Sequence, residues 1–254
     1  LKHYKDFVQE SRGNRKLLSE LALTQSRIGT LILDLESPQA AIPNLNDSEN
    51  SYRALLREKP GSIEALQGRA RNLNQMGLAH AANGNSDAAK RCYDHAIRIQ
   101  QNLSTEVSDV KHRIDLALSQ SNLGLLMINS GSTDEAETTL RQSIASLSEV
   151  VQQNPSHVLA HRGLAAALTN LSYLTVDAAP DHATALLEEA IGCQLRIHKS
   201  APSQLKASSE IANTYNTLGA AKLSENSVSE AIDAFSHAIE LHRKMHEIAP
   251  SVNS

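Results

Sequence analysis

The chain has 254 residues, 24 basic against 28 acidic side chains, a net charge of −4, and only 3% aromatics with no tryptophan. Charge dispersed in this way offers no basic stripe to track phosphates, which argues against nucleic acid as a partner. Cys92 and Cys193 form no CxxC pair, so neither a disulfide framework nor a zinc site is expected and a reducing, cytoplasmic setting follows; no apolar run approaches the ~20 residues that span a bilayer, so no membrane contact is expected either.

A composition dominated by Ala, Leu, Ser, Asn, Glu and Gln favours helices, because alanine and straight side chains lose little freedom there. Leu1 to Glu10, with Tyr4, Phe7 and Val8 apolar, reads as the end of a helix whose partner lies upstream: a half unit over 1–12, cut from a longer array. Apolar spacings of three and four then predict first helices over 14–35, 62–83, 109–130, 156–177 and 203–224. Second helices are predicted over 45–58, 86–105, 133–152, 181–199 and 228–248. Pro43, surrounded by Asn44, Asn46 and Asp47, predicts that the first of these is shortened or broken before about Leu45. Gly84, Gly131 and Asn226 stand where first helices should end, and these types accept the left-handed backbone that closes a helix. Ser132 with Glu135, and Ser227 with Glu230, make the S-x-x-E pattern that satisfies orphan amides at a helix start.

Laid on itself, the chain repeats. Anchored on Gly29, Gly77, Gly124, Ser172 and Gly219, the spacings are 48, 47, 48 and 47. Ala22, Ala70, Ala117, Ala165 and Ala212 precede the anchors in register, and so do Ile28, Met76, Leu123, Leu171 and Leu218. Beyond them come Ala41, Ala89, Ala136, Ala183 and Ala231, then Leu45, Tyr93, Leu140, Leu187 and Phe235, then Ile97, Ile144, Ile191 and Ile239. Pro60, Pro155, Pro202 and Pro250 close the units, with Val107 in the second. Units over 13–60, 61–107, 108–155, 156–202 and 203–250 follow. One helix pair cannot bury its apolar faces alone, so the pairs are expected to stack as an all-α solenoid.

Two antiparallel helices per unit, small residues in register and a closing proline resemble the tetratricopeptide repeat, from about Leu17 to Pro250. The usual period of that family is about 34 residues. The longer beat here is similar to the extended repeats of kinesin light chains, and more so to arrays that follow the kinase domain in some bacterial serine/threonine kinases. The third unit matches that pattern at Leu116, Ala117, Asn122, Leu123, Gly124, Gly131, Glu135, Ala136, Leu140, Ile144 and Pro155. The resemblance implies a right-handed α-α superhelix of about five hairpins plus the leading half unit, one domain over 1–254, with first helices lining a concave face. It also implies a regulatory or interaction segment of a larger protein. No glycine-rich loop, HRD or DFG of a kinase occurs in the chain.

On that implied face, three residues before each anchor, stand Ser26, Asn74, Ser121, Thr169 and Asn216, polar and uncharged, with Asn122 and Asn170 beside two of them. Such groups pair with the backbone of an extended peptide or bond neighbouring helices. Leu125, Ile128 and Tyr173 supply an apolar floor or pack between repeats. The expected partner is a protein or peptide held in this groove, or a second copy of the chain; the rival function is a structural spacer or self-association module positioning an upstream domain. Thr30, Leu78, Leu125, Tyr173 and Ala220 follow the anchors, so the Asn that clamps C-terminal carboxylates in chaperone-binding members is not there. His157 with His161, and His242 with His246, have chelating spacing without a third ligand and read as solvated surface histidines. With no P-loop and no GxSxG, no catalytic residue, cofactor or metal is expected.

Overall fold

The computed structural model describes residues 14–106, 109–200 and 205–248. The half unit over 1–12, Val107, Pro202 and Pro250 lie outside them. Among the described residues ten helices run in order: α1 (Arg15–Leu35), α2 (Pro38–Glu58), α3 (Ile63–Ala82), α4 (Ser86–Glu106), α5 (Val110–Asn129), α6 (Thr133–Gln153), α7 (Val158–Thr175), α8 (Pro180–Ser200), α9 (Leu205–Ser224) and α10 (Val228–Ile248). No strand occurs among the described residues. The chain divides into two compact units, residues 1–126 and 127–254, each described by itself. In the first, α1 packs on α2 and α3 on α4, with α2 against α3; in the second, α7 packs on α8 and α9 on α10, with α6 against α7 and α8 against α9.

The alanine columns are the seams. Ala22, Ala70, Ala117, Ala165 and Ala212 are buried, and so are Ala41, Ala89, Ala136, Ala183 and Ala231. A methyl group there lets helix axes approach closely while larger neighbours fill the flanking grooves. The anchor glycines serve the large residue of their partner helix. A Cβ built on Gly29 would lie 2.7 Å from Leu45 Cγ and Cδ2, and one on Gly219 would lie 2.8 Å from the Phe235 ring; at Gly77 it would run into the Tyr93 ring. Two columns found separately in the sequence are therefore halves of one contact. It feeds continuous cores, such as the cluster in which Leu45 of α2 meets Leu73, Met76 and Ala79 of α3 and Ala96 of α4.

Helix ends follow the predicted chemistry at three turns. Gly84, Gly131 and Asn226 have φ of 75°, 80° and 60°. In each turn the next residue's N–H reaches back to close the helix: Asn85 to His80 O at 2.8 Å, Ser132 to Met127 O at 2.9 Å and Ser227 to Lys222 O at 2.9 Å. Three expectations need correction. Helix α2 is neither shortened nor broken before Leu45: it runs unbroken from Pro38 with Pro43 inside. Ser37 caps it, its Oγ accepting from Ala40 N–H at 3.2 Å, and Pro38 occupies the first turn, where its missing N–H is no loss. Ser132 precedes α6 without a side-chain cap bond. Glu230 of the other S-x-x-E pattern gives its carboxylate to Lys222 Nζ at 2.9 Å, an amine that also lies 3.4 Å from Glu225 and 3.8 Å from Glu188.

Candidate functional site

The polar ladder does not behave as one set. In the first unit Ser26 and Asn74 are half-buried, but Ser121 is buried and has a partner within the protein. Asn122 Nδ2 donates to Asn74 Oδ1 at 3.0 Å, tying α5 to α3. In the second unit Asn170 is buried with an internal partner, Thr169 Oγ1 donates to Ala165 O at 2.9 Å within its own helix, and Asn216 is exposed. The expectation that this column faces outward in every repeat is thus corrected at Ser121, as it is for the neighbouring Asn170. Both side chains are buried, and a buried polar group is normally satisfied inside the fold.

The apolar positions stay closer to the surface. Leu125 and Tyr173 are exposed and Ile128 is half-buried. Tyr173 borders a cavity of about 230 Å³ lined by Val176 and Leu187 with Thr217, Ala220 and Ser224 of α9, and by Asp177. After the anchor, where the other units carry Thr30, Leu78, Leu125 and Tyr173, α9 has only Ala220, and the smaller side chain leaves a space beside buried Leu187. Thr217 Oγ1 donates to Asn213 O at 3.1 Å and Ser224 Oγ to Ala220 O at 3.3 Å, so both hydroxyl hydrogens are already used. What remains at the wall is the tyrosine ring, aliphatic carbon and the Asp177 carboxylate. Asn216 and Thr169 lie one helical turn before Ala220 and Tyr173, along the same stripes. Sequence reasoning named Tyr173 but missed Thr217 and Asp177; the small Ala220 in an otherwise bulkier column was the available signal.

The histidine pairs divide. His157 caps α7, its Nδ1 accepting from Ala160 N–H at 3.3 Å, and His161 is buried with Nε2 2.9 Å from Pro155 O, so the solvated-surface reading fails there. His242 and His246 are exposed. Among the described residues no group of three or more His, Cys, Asp or Glu side chains could hold a metal. Burial holds the thiols of Cys92 and Cys193 protonated, each pushed up to about 11, which removes the thiolate a nucleophile needs.

A family model for the tetratricopeptide repeat matches residues 70–103, which cover most of α3 and α4. The structure resembles BtubC (BKLC) from P. vanneervenii, with a TM-score of 0.68 at 15% identity over 98% of this chain and 91% of that one. The fold is that of the tetratricopeptide-repeat proteins. It also resembles the nearly identical repeats of a putative kinesin light chain from Podosopora anserina, with a TM-score of 0.52 at 15% identity over 92% and 99% of the two chains. A thermophilic tetratricopeptide protein of Thermus thermophilus gives 0.52 at 16% identity over 91% and 93%. No curated protein matches the chain in sequence. Tetratricopeptide repeats are in general non-catalytic scaffolds for protein–protein interaction. Among the described residues no helix is long and apolar enough to cross a membrane.

Proposed function

We propose that this tetratricopeptide chain is a peptide-binding scaffold, and that its second unit seats an apolar side chain of an extended partner segment in the Tyr173 cavity. The cavity carries the reading: about 230 Å³ accommodates a leucine-sized to phenylalanine-sized group, and its wall of ring and aliphatic carbon rewards burial at about 25 cal/mol per Å². Asn216, exposed one turn away, supplies an amide that can both donate to and accept from a peptide backbone. In the first unit the Asn122–Asn74 bond uses one donor and one acceptor of two side-chain amides, and the remaining groups suit the same kind of backbone pairing. Ser26 and Leu125 are further proposed contacts within the first unit, and Ile128 and Thr169 within the second. Ser121 and Asn170 are withdrawn from the contact set, being buried and engaged. The unpaired Cys92 and Cys193 support a reducing, cytoplasmic setting, and the long-repeat resemblance supports a regulatory segment of a larger protein such as a bacterial serine/threonine kinase.

Selection from a displayed random-peptide library tests the reading. Recovered peptides should share one apolar side chain, and their affinity should drop at least tenfold in Ala220→Phe, which fills the cavity without adding charge. Peptides that bind Ala220→Phe and the parent chain equally, with the circular dichroism of both unchanged, refute it.

A further inference from the structure

The wall of the Tyr173 cavity carries charge of one sign. Tyr173 and Asp177 stand four residues apart, and Val176 between them keeps helical backbone with φ −60° and ψ −38°, so the carboxylate follows the ring along one side of α7 and just past its end. Both residues border the cavity, and both are exposed. Asp177 has no hydrogen bond and no ion pair among the described residues. The two segments that wall the cavity, 172–187 and 217–224, contain one lysine and no arginine. That lysine, Lys222, has its Nζ 2.9 Å from Glu230, 3.4 Å from Glu225 and 3.8 Å from Glu188, so three carboxylates already share its charge. The pairing of ring and carboxylate belongs to this repeat alone: the same two positions hold Thr30 with Asp34, Leu78 with Ala82, Leu125 with Asn129 and Ala220 with Ser224. An exposed aromatic ring and an unpaired carboxylate one turn apart are the two groups that hold an organic cation, the first through its quadrupole and the second through charge and hydrogen bonds.

We propose that the segment held by the second unit is basic: beside the apolar residue seated in the cavity it presents an arginine or lysine whose cationic head lies against the Tyr173 ring and the Asp177 carboxylate. The inference rests on the peptide-binding reading above and adds the partner's charge to it. In an extended segment alternate side chains point the same way about 6.6 Å apart, so the basic residue belongs two positions from the seated one. Its stem covers the aliphatic rim while its head stays in water. A segment with an acidic residue there would meet Asp177 at like charge and is disfavoured.

Peptides selected on the parent chain from a displayed random library test it, because separate variants read the cavity and the charge. Selected peptides should carry arginine or lysine two positions from the shared apolar residue; a library outcome with no basic preference there overturns the inference without any variant. Affinity at low salt should fall roughly threefold to fivefold in Asp177→Asn, the scale of one exposed charge contact, with a thermal melt matching the parent chain. Once the basic residue of the peptide is replaced by glutamine, the parent chain and Asp177→Asn should bind it equally, since the charge that the carboxylate reads is gone. Peptides that lose affinity in Ala220→Phe but bind Asp177→Asn as well as the parent chain overturn this inference and leave the cavity reading standing. Peptides indifferent to Ala220→Phe overturn the cavity reading and this inference with it.

Discussion

Tyr93 shows how much depends on a single missing methyl group. Its ring is buried against Gly77, in space that a Cβ would occupy, and nothing at the far end of a flexible side chain is there to give way. Gly77→Ala should therefore cost about 1–3 kcal/mol, the usual penalty for overpacking a close-packed site, read as a lower urea midpoint at unchanged slope. Replacing Tyr93 by leucine, the type that Leu187 supplies in the unit whose anchor, Ser172, itself carries a Cβ, should recover most of that loss in the double variant. A Gly77→Ala protein as stable as the parent would show that the ring is not held where the structure puts it. Side chains of this kind were legible in the sequence as columns, but not as partners: the spacing says that Gly77 and Tyr93 recur, whereas only folding shows that one enters the space left by the other.

Among the elements, α2 departs most from its sequence pattern. Pro43 removes the N–H that would bond Gln39 O, yet the lost bond falls early in the helix and both residues are exposed, so water can satisfy the carbonyl. The Ser37 cap and Pro38 start the helix upstream, and buried Ala41 and Leu45 hold it there. Pro43→Ala should accordingly stabilise the protein by about 1–3 kcal/mol with little change in helicity, measured by urea denaturation and far-ultraviolet circular dichroism. A marked rise in helicity would mean that the first turns of α2 are not formed in the parent chain. Elsewhere helix ends were readable because their causes are local: Gly84, Gly131 and Asn226 need only their own backbone preference. The candidate site was less so. Ser121 and Asn216 share a column, but one is buried and the other exposed, and that difference is set by which helix lies alongside, a non-local fact. The Tyr173 cavity is of the same kind, since its existence depends on Ala220 some forty residues away.

For the molecule as a whole, buried weak acids fix how stability responds to alkali. Burial pushes the Cys92 and Cys193 thiols from 9.0 up to about 11 and the Tyr52 phenol from 10.0 up to about 12, with Tyr93 moved in the same direction. Below pH 9 both folded and unfolded chains hold these protons, and stability is indifferent to them. Between pH 9 and 11 the unfolded thiols ionise while the folded ones do not, so the unfolded state binds fewer protons and stability falls; the phenols extend the fall from pH 10 towards 12. Lys222, whose pKa its bond to Glu230 raises, acts in the same sense above 10.5. The urea midpoint of the reduced protein should thus decline from pH 9. In Cys92→Ala/Cys193→Ala the onset should move to about pH 10, and an onset that ignores the double substitution would discount the thiols. The fit of glycine to its large neighbour also bears on how such a chain can change length. Gly29 is matched to leucine, Gly77 to tyrosine and Gly219 to phenylalanine, so the two helices of a pair are sized to each other and not to helices of another pair. A genetic crossover in the turn inside a hairpin would join mismatched halves. One in the loops at 59–62 or 154–157 moves matched pairs intact, which makes the whole hairpin, and not the single helix, the unit that duplication or deletion can add or remove.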